Sequence, residues 1–362
     1  MLVRQRRQAR PSAPVPTARV GTPARCAAFT CVGTLLFASA TPADTIHASF
    51  PTPQLDRWMY PFNATPGTRP VISTFGSTPG APEFDSRDGK FVMAFATGAQ
   101  VPSGLGATSY TVTAARVTIE YANDLVVAYD PTQDSWRAFV AASDPEFVAD
   151  SDTGQPIELF GCGFRSGFNA TNFLENSSYS VPPNPMAPGV RTAFAASFDS
   201  SGALVDVSNS PRQRFDPLSF GIGKIDSLAA GSLVPINTPM HFDLDVSHAS
   251  IQQYLREALD RGRMFFVATS LTFVEQQGGS FPAFYAKEHS LVPFGLAHPA
   301  KLELTVVTGT CASADINCDG LVNGFDLSAV LSNWGAPGSC DINGDGITDG
   351  FDLSAVLSGW SG

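Results

Sequence analysis

Residues 241–270 read HFDLDVSHASIQQYLREALDRGRMFFVATS, and the spacing of the apolar positions changes twice along the stretch. In its middle, Ile251, Tyr254, Leu255, Ala258 and Leu259 fall at i, i+3, i+4, i+7 and i+8. That spacing draws one apolar stripe down a helix that lies on a sheet. The run that follows, RMFFVATSLTFV from Arg263, is almost continuously apolar, as a strand inside a sandwich is. On the near side, Asp243 and Asp245 alternate with Phe242 and Leu244, so the two carboxylates face solvent from a strand.

The same patterns recur along the chain. ARVTIEYA puts Val117, Ile119 and Tyr121 on one face and Arg116, Thr118 and Glu120 on the other. KLELTVV sets Leu302, Leu304 and Val306 against Lys301, Glu303 and Thr305. Both read as half-buried strands, whereas KFVMAFAT from Lys90 is more continuously apolar. Short strands with Gly/Pro turns and one long helix before residue 311 predict a mainly β fold, a jelly-roll-like β-sandwich over residues 41–310 with one or two helices. A small α-helical domain is expected over residues 311–362.

That last segment says one phrase twice, DINCDGLVNGFDLSAVLSNW from Asp315 and DINGDGITDGFDLSAVLSGW from Asp341. Counting from the first Asp, side-chain oxygens stand at positions 1, 3, 5, 9 and 12, with Gly at 6, which is the ligand spacing of an EF-hand calcium loop. In the first copy these are Asp315, Asn317, Asp319, Asn323 and Asp326, turning at Gly320. In the second they are Asp341, Asn343, Asp345, Asp349 and Asp352, turning at Gly346. Position 7 gives its backbone carbonyl, so Leu321 and Ile347 are acceptable there. About two calcium ions are expected. Leu, Val, Leu and Trp follow each loop at helical spacing, and two such units are expected to bury their Leu, Val and Trp faces against each other.

On these residues the segment from Ala314 to Trp360 resembles the dockerin domain, a tandem pair of calcium loop and helix units that docks enzymes onto cohesin modules of a scaffold. The resemblance implies calcium binding and a cohesin-like or cell-envelope partner. It departs at the recognition positions: where the family often has a Ser-Thr pair in the loop and a Lys-Arg pair in the helix, this chain has Gly324-Phe325 with Leu331-Ser332 and Gly350-Phe351 with Leu357-Ser358.

Six arginines up to Arg25 precede the apolar run CAAFTCVGTLLFASA, which ends in a small-x-small pattern at Ala38-Ser39-Ala40. This reads as a secretory signal peptide over residues 1–40, cleaved after Ala40 or Ala43, and too short to span a bilayer, which takes about 20 apolar residues. Export to the medium or the cell surface is therefore expected, with no transmembrane segment left after cleavage. Cleavage removes six arginines and no acid, so the formal charge moves from −11 to −17. An acidic mature chain argues against nucleic acid and anionic membranes. Of the cysteines that remain, Cys162, Cys311, Cys318 and Cys340, three cluster in the tail, where a Cys318–Cys340 disulfide would tie the two loops together.

The central region resembles the second half of DNRLRE-type jelly rolls of exported bacterial proteins, through Asp245, Val246 and Ser247 before the helix and Lys287-Glu288 after it. The likeness covers roughly Asp56 to Val307 and implies architecture, not activity. Motifs for zinc proteases, serine hydrolases, P-loops and dinucleotide folds are missing from the sequence. Asp243, Asp245, Glu275 and Glu288 are the carboxylates from which a glycosidase pair would come. Trp58, Tyr60 and Phe62, which alternate and so share a face, and Trp136 are candidates for stacking on sugars, although a buried face is the leading expectation. DSRDGK from Asp85 reads as a turn, with a cation site as the other reading. The function expected is a non-catalytic recognition or structural module, in a polysaccharide-related setting, with a calcium-ordered attachment tail. A dockerin-tagged polysaccharide-degrading enzyme, a glycoside hydrolase or lyase, is the alternative.

Overall fold

The computed structural model describes residues 44–63, 65–79, 81–180, 186–273, 281–309, 314–316, 321–338 and 340–361. Residues 1–40, the expected signal peptide, and Glu275, Cys311, Asn317, Cys318, Asp319 and Gly320 lie outside the described residues. The strands begin with β1 (Asp44–Phe50), β2 (Leu55–Met59), β3 (Val71–Ser73), β4 (Phe75–Gly76), β5 (Arg87–Phe95) and β6 (Tyr110–Glu120). There follow β7 (Glu158–Phe164), β8 (Ala193–Phe198), β9 (Leu204–Asp206), the short α1 (Ser210–Gln213), β10 (Gly221–Ile222) and β11 (Pro239–Asp243). After α2 (Ala249–Asp260) come β12 (Met264–Thr269), β13 (Ala283–Tyr285) and β14 (Lys301–Thr308), and the tail carries α3 (Gly324–Ser332) and α4 (Gly350–Ser358).

The protein is mainly β, with antiparallel sheets. One sheet runs β1-β14-β6-β11 and a larger one β2-β5-β12-β7-β8-β9, with β10 added beside β7 and β4 beside β5. In the first, Leu302 faces Val117 and Leu304 faces Ala115 across the ladder, which sets the apolar sides of β14 and β6 on the same surface. Val117, Ile119, Leu302, Leu304 and Val306 pack into one cluster with Phe91, Met93, Phe95, Phe266 and Ala268 of the larger sheet.

The intervening residues of the larger sheet point the other way. Val92, Ala94, Phe265 and Val267 join a second cluster with Phe160, Cys162 and Phe173. The second half of β5, from Phe91, and β12 are thus buried on both faces, which is why these stretches are apolar runs rather than alternations. Helix α2 packs against β6 and β12 and buries Ile251, Leu255, Ala258 and Leu259, each such leucine stabilising by roughly 1.5–3 kcal/mol relative to exposure. Tyr254 fixes its register, since the hydroxyl donates to Phe265 O at 2.7 Å and accepts from the Cys162 amide at 2.9 Å.

Candidate functional site

The second tail loop is organised by its own carboxylates. Asp341 accepts the amides of Gly344 and Asp345 on Oδ1 and of Gly346 on Oδ2, at 2.8, 3.1 and 2.7 Å. Such a turn needs Gly346, whose φ of 97° lies where a side chain is strained. Asn343 Oδ1 accepts from the Asp345 amide and Asp345 Oδ1 from the Ile347 amide. Asp352 closes the circle, accepting from Ile342 and Asn343 on Oδ1 and from Asp349 on Oδ2. Those amides, the one from Asp349 foremost, hold the Asp352 carboxyl below the usual carboxylate range.

In the first loop the described half repeats this. Asp326 accepts the Ile316 amide at 2.8 Å and the Asn323 amide at 2.9 Å. Asp315 is buried, and Leu321 is exposed. Asn323 with Asp326, and Asp349 with Asp352, form capping boxes at the starts of α3 and α4. The expected ligand positions 9 and 12 therefore also satisfy helix-terminal amides, so loop and helix are one unit. Residues 311–362 contain seven acids and no lysine, arginine or histidine, a compositional signal as informative as the repeat.

The tail core differs from expectation. Val330 and Val356 lie at its centre with Ala314, Val322 and Cys340, and Leu327 and Leu353 pack at its edge. Trp334 and Trp360 are 51% and 44% exposed, because each stands two residues past its helix rather than on the inner stripe. Phe325 and Phe351, at 74% and 72%, are exposed as well, together with Leu331 and Leu357. The two copies thus present the same apolar side chains outward.

A second feature lies at the end of β2. The rings of Trp58 and Tyr60 stack at 4.7 Å, and Phe62 meets Tyr60 edge-on at 5.5 Å. Phe75, Phe84 and Phe281, which no local pattern linked to them, join the group, and the Arg69 guanidinium covers Trp58 at 4.9 Å. Contrary to the buried face expected, Trp58 and Tyr60 are half-buried and Phe62 is 62% exposed, since β2 ends at Met59 and the chain leaves the sheet there. Trp136 is buried elsewhere, between Arg137 and Arg214.

DSRDGK is not a plain turn, because Arg87 already opens β5. Lys90 Nζ pairs with Asp85 at 2.9 Å, Arg191 bridges Asp85 and Asp88, and Arg87 pairs with Glu158, all of them buried. Burial pushes Asp88 up to about 6 against the pull of Arg191, while Lys90 and Arg191 draw Asp85 below its ordinary range despite burial. The Tyr60 hydroxyl is raised by burial and by the charge of Asp88, which places the network next to the aromatic group.

The three carboxylates among the described residues, Asp243, Asp245 and Glu288, have different surroundings. Asp243 pairs with Arg116 on the exposed side of β11 at 2.6 Å. Asp245 accepts from the amide and hydroxyl of Ser247 and shapes the turn before α2. Glu288 sits with Asp56 and Glu175 around Lys287 Nζ, and Asp56, buried there, is raised to about 6. Another acidic group, Asp130, Asp134, Asp150 and Asp152, was not legible in sequence, being split between two loops. Burial and its like-charged neighbours push Asp134 up to about 8. No helix among the described residues is long and apolar enough to cross a membrane. No family model, curated protein or solved structure matches the chain.

Proposed function

We propose that this is an exported, non-catalytic protein whose jelly-roll-like β-sandwich serves recognition or structure, and whose dockerin-like tail binds about two calcium ions and attaches it to a partner protein. The observation that carries the reading is the second loop, where the position 1 and position 12 carboxylates collect six backbone amides and so curl the chain around the remaining side-chain oxygens. Asp341, Asn343, Asp345, Asp349, Asp352 and the Ile347 carbonyl would hold one ion, and Asp315, Asn323, Asp326 and the Leu321 carbonyl, with Asn317 and Asp319, the other.

The partner is a cohesin-like protein with an apolar docking face. Phe325 and Phe351 occupy the loop position, and Leu331 and Leu357 the helix position, at which the resembled family carries its recognition side chains, and all four are exposed. A polysaccharide is the proposed ligand of the body of the protein. The Trp58–Tyr60–Phe62 group supplies ring faces of the kind on which sugar rings stack, and Phe62 leaves part of it open. The non-catalytic reading is supported by the separate surroundings of Asp243, Asp245 and Glu288.

Sedimentation with insoluble polysaccharides, alongside a hydrolysis assay on the same panel, tests the body. Retention without turnover, lost in Trp58→Ala plus Tyr60→Ala, is the expected result. Turnover abolished by a single substitution at Asp243, Asp245, Glu275 or Glu288 would replace this reading with a glycosidase.

A further inference from the structure

Two acidic clusters stand in the body of the protein, and they differ in what balances them. Around Asp56, Glu175 and Glu288 the ammonium of Lys287 sits in the middle and pairs with all three. Asp130, Asp134, Asp150 and Asp152 bring one carboxylate oxygen each to within 4.8 Å of one another. Among the described residues no lysine, arginine or histidine forms an ion pair with any of those four.

In this second cluster Asp130 is buried, Asp134 and Asp150 are half-buried and Asp152 is exposed. Asp130 is only 2% exposed, and its Oδ2 is buried with no hydrogen-bond partner. Asp134 Oδ2 is buried and unpartnered too. Thr132 Oγ1 lies 2.7 Å from Asp130 Oδ1 and 2.7 Å from Asp152 Oδ2, one hydroxyl proton facing two carboxylates. A buried carboxylate oxygen left without a partner is costly, so the unpartnered Oδ2 atoms of Asp130 and Asp134 ask for a positive charge beside them.

The backbone presses the two loops together. A Cβ at Gly154 would fall 2.9 Å from the Asp130 Cβ and 3.0 Å from Ala128 O, and the φ of 120° there also demands glycine. One residue further on, Gln155 Oε1 is another buried oxygen without a partner. Asp134 precedes the short helical turn at Trp136, and Gln155 precedes β7, so the cluster pins both ends of the intervening segment.

We propose that Asp130, Asp134, Asp150 and Asp152 form a divalent-cation site, for calcium by its wealth of carboxylate oxygens, that clamps the loop after Tyr129 to the loop before β7. It is separate from the tail sites and stands whether or not the tail binds metal. The test is calcium stoichiometry of the full chain by equilibrium dialysis, first with the tail silenced by Asp315→Ala plus Asp341→Ala, then with Asp134→Asn plus Asp150→Asn added. One equivalent is expected in the former and none in the latter, with the affinity falling at least tenfold. The pair Asp150→Asn plus Asp152→Asn, on the less buried residues, repeats the test should the first pair fail to fold by circular dichroism. An equivalent retained in either folded variant, or no equivalent in the tail-silenced chain, overturns the proposal.

Discussion

The Asp352 carboxylate accepts the amide of Ile342 at 2.7 Å, ten residues back along the chain, while its other oxygen accepts the amide of Asp349. The last acid of the loop therefore holds both the loop's beginning and the start of α4. Replacing it with alanine removes a closure and a capping box together. Asp352→Ala is expected to lower helix content in calcium-free buffer, measured by far-ultraviolet circular dichroism on the full chain. Asp352→Asn, which keeps an acceptor oxygen but not the charge, should spare most of that helix and still weaken calcium binding at least tenfold.

The outward pairs of the tail give a second expectation. Phe325→Ser plus Phe351→Ser touches no ligand position and no member of the tail core. Calcium uptake should be unchanged, and calcium-dependent binding to a purified cohesin-like module should fall at least tenfold in a surface-plasmon-resonance assay. Unchanged binding would place the docking face elsewhere.

Arg191 is the sole basic partner that reaches both Asp85 and Asp88 among the described residues, and all three are buried. Arg191→Met leaves Asp88 without its ion-pair partner, while Asp85 keeps Lys90, and is expected to cost about 3–5 kcal/mol in chemical denaturation. The acids set a pH dependence as well. Asp88 and Asp56 bind their protons more tightly folded, at about 6, than unfolded, near the ordinary 3.8. Their contribution is thus fully present below the unfolded value and is lost as pH rises through about 6. Asp88→Asn and Asp56→Asn should each flatten the decline of stability between those two values, and an unaltered slope would rule the assignment out.

Gly89 ties the fold to the aromatic group. A Cβ there would meet Phe75 Cε1 at 2.6 Å, and Phe75 packs edge-on against Tyr60. Gly89→Ala should cost about 1–3 kcal/mol by overpacking. It should also weaken retention on insoluble polysaccharide, because Phe75 must turn away and release the stack it supports.

What the sequence made legible follows from how far apart the interacting residues stand. Strands β6 and β14 and helix α2 have one face on the core and one toward solvent, so their periods are written in adjacent residues. The apolar runs of β5 and β12 announced burial on both faces. DSRDGK reads locally as a turn because Asp, Gly and Ser are turn formers, yet its acids are held by Arg191, 103 residues from Asp88. Phe75 reaches Trp58 and Tyr60, Phe84 reaches Phe62 and Phe281 reaches Phe75 only once the chain is folded, as Asp130 reaches Asp150 only through folded loops. In the tail, ligand spacing is local and was readable, whereas the outward position of Trp334 and Trp360 depends on where each helix stops.

Calcium titration of the full chain by isothermal calorimetry, with and without Asp315→Ala plus Asp341→Ala, bears most directly on the calcium-ordered tail. The wild-type chain is expected to take up two equivalents more than the doubly substituted one, with a gain of helix that the substitutions abolish. Equal uptake by the two chains would contradict it.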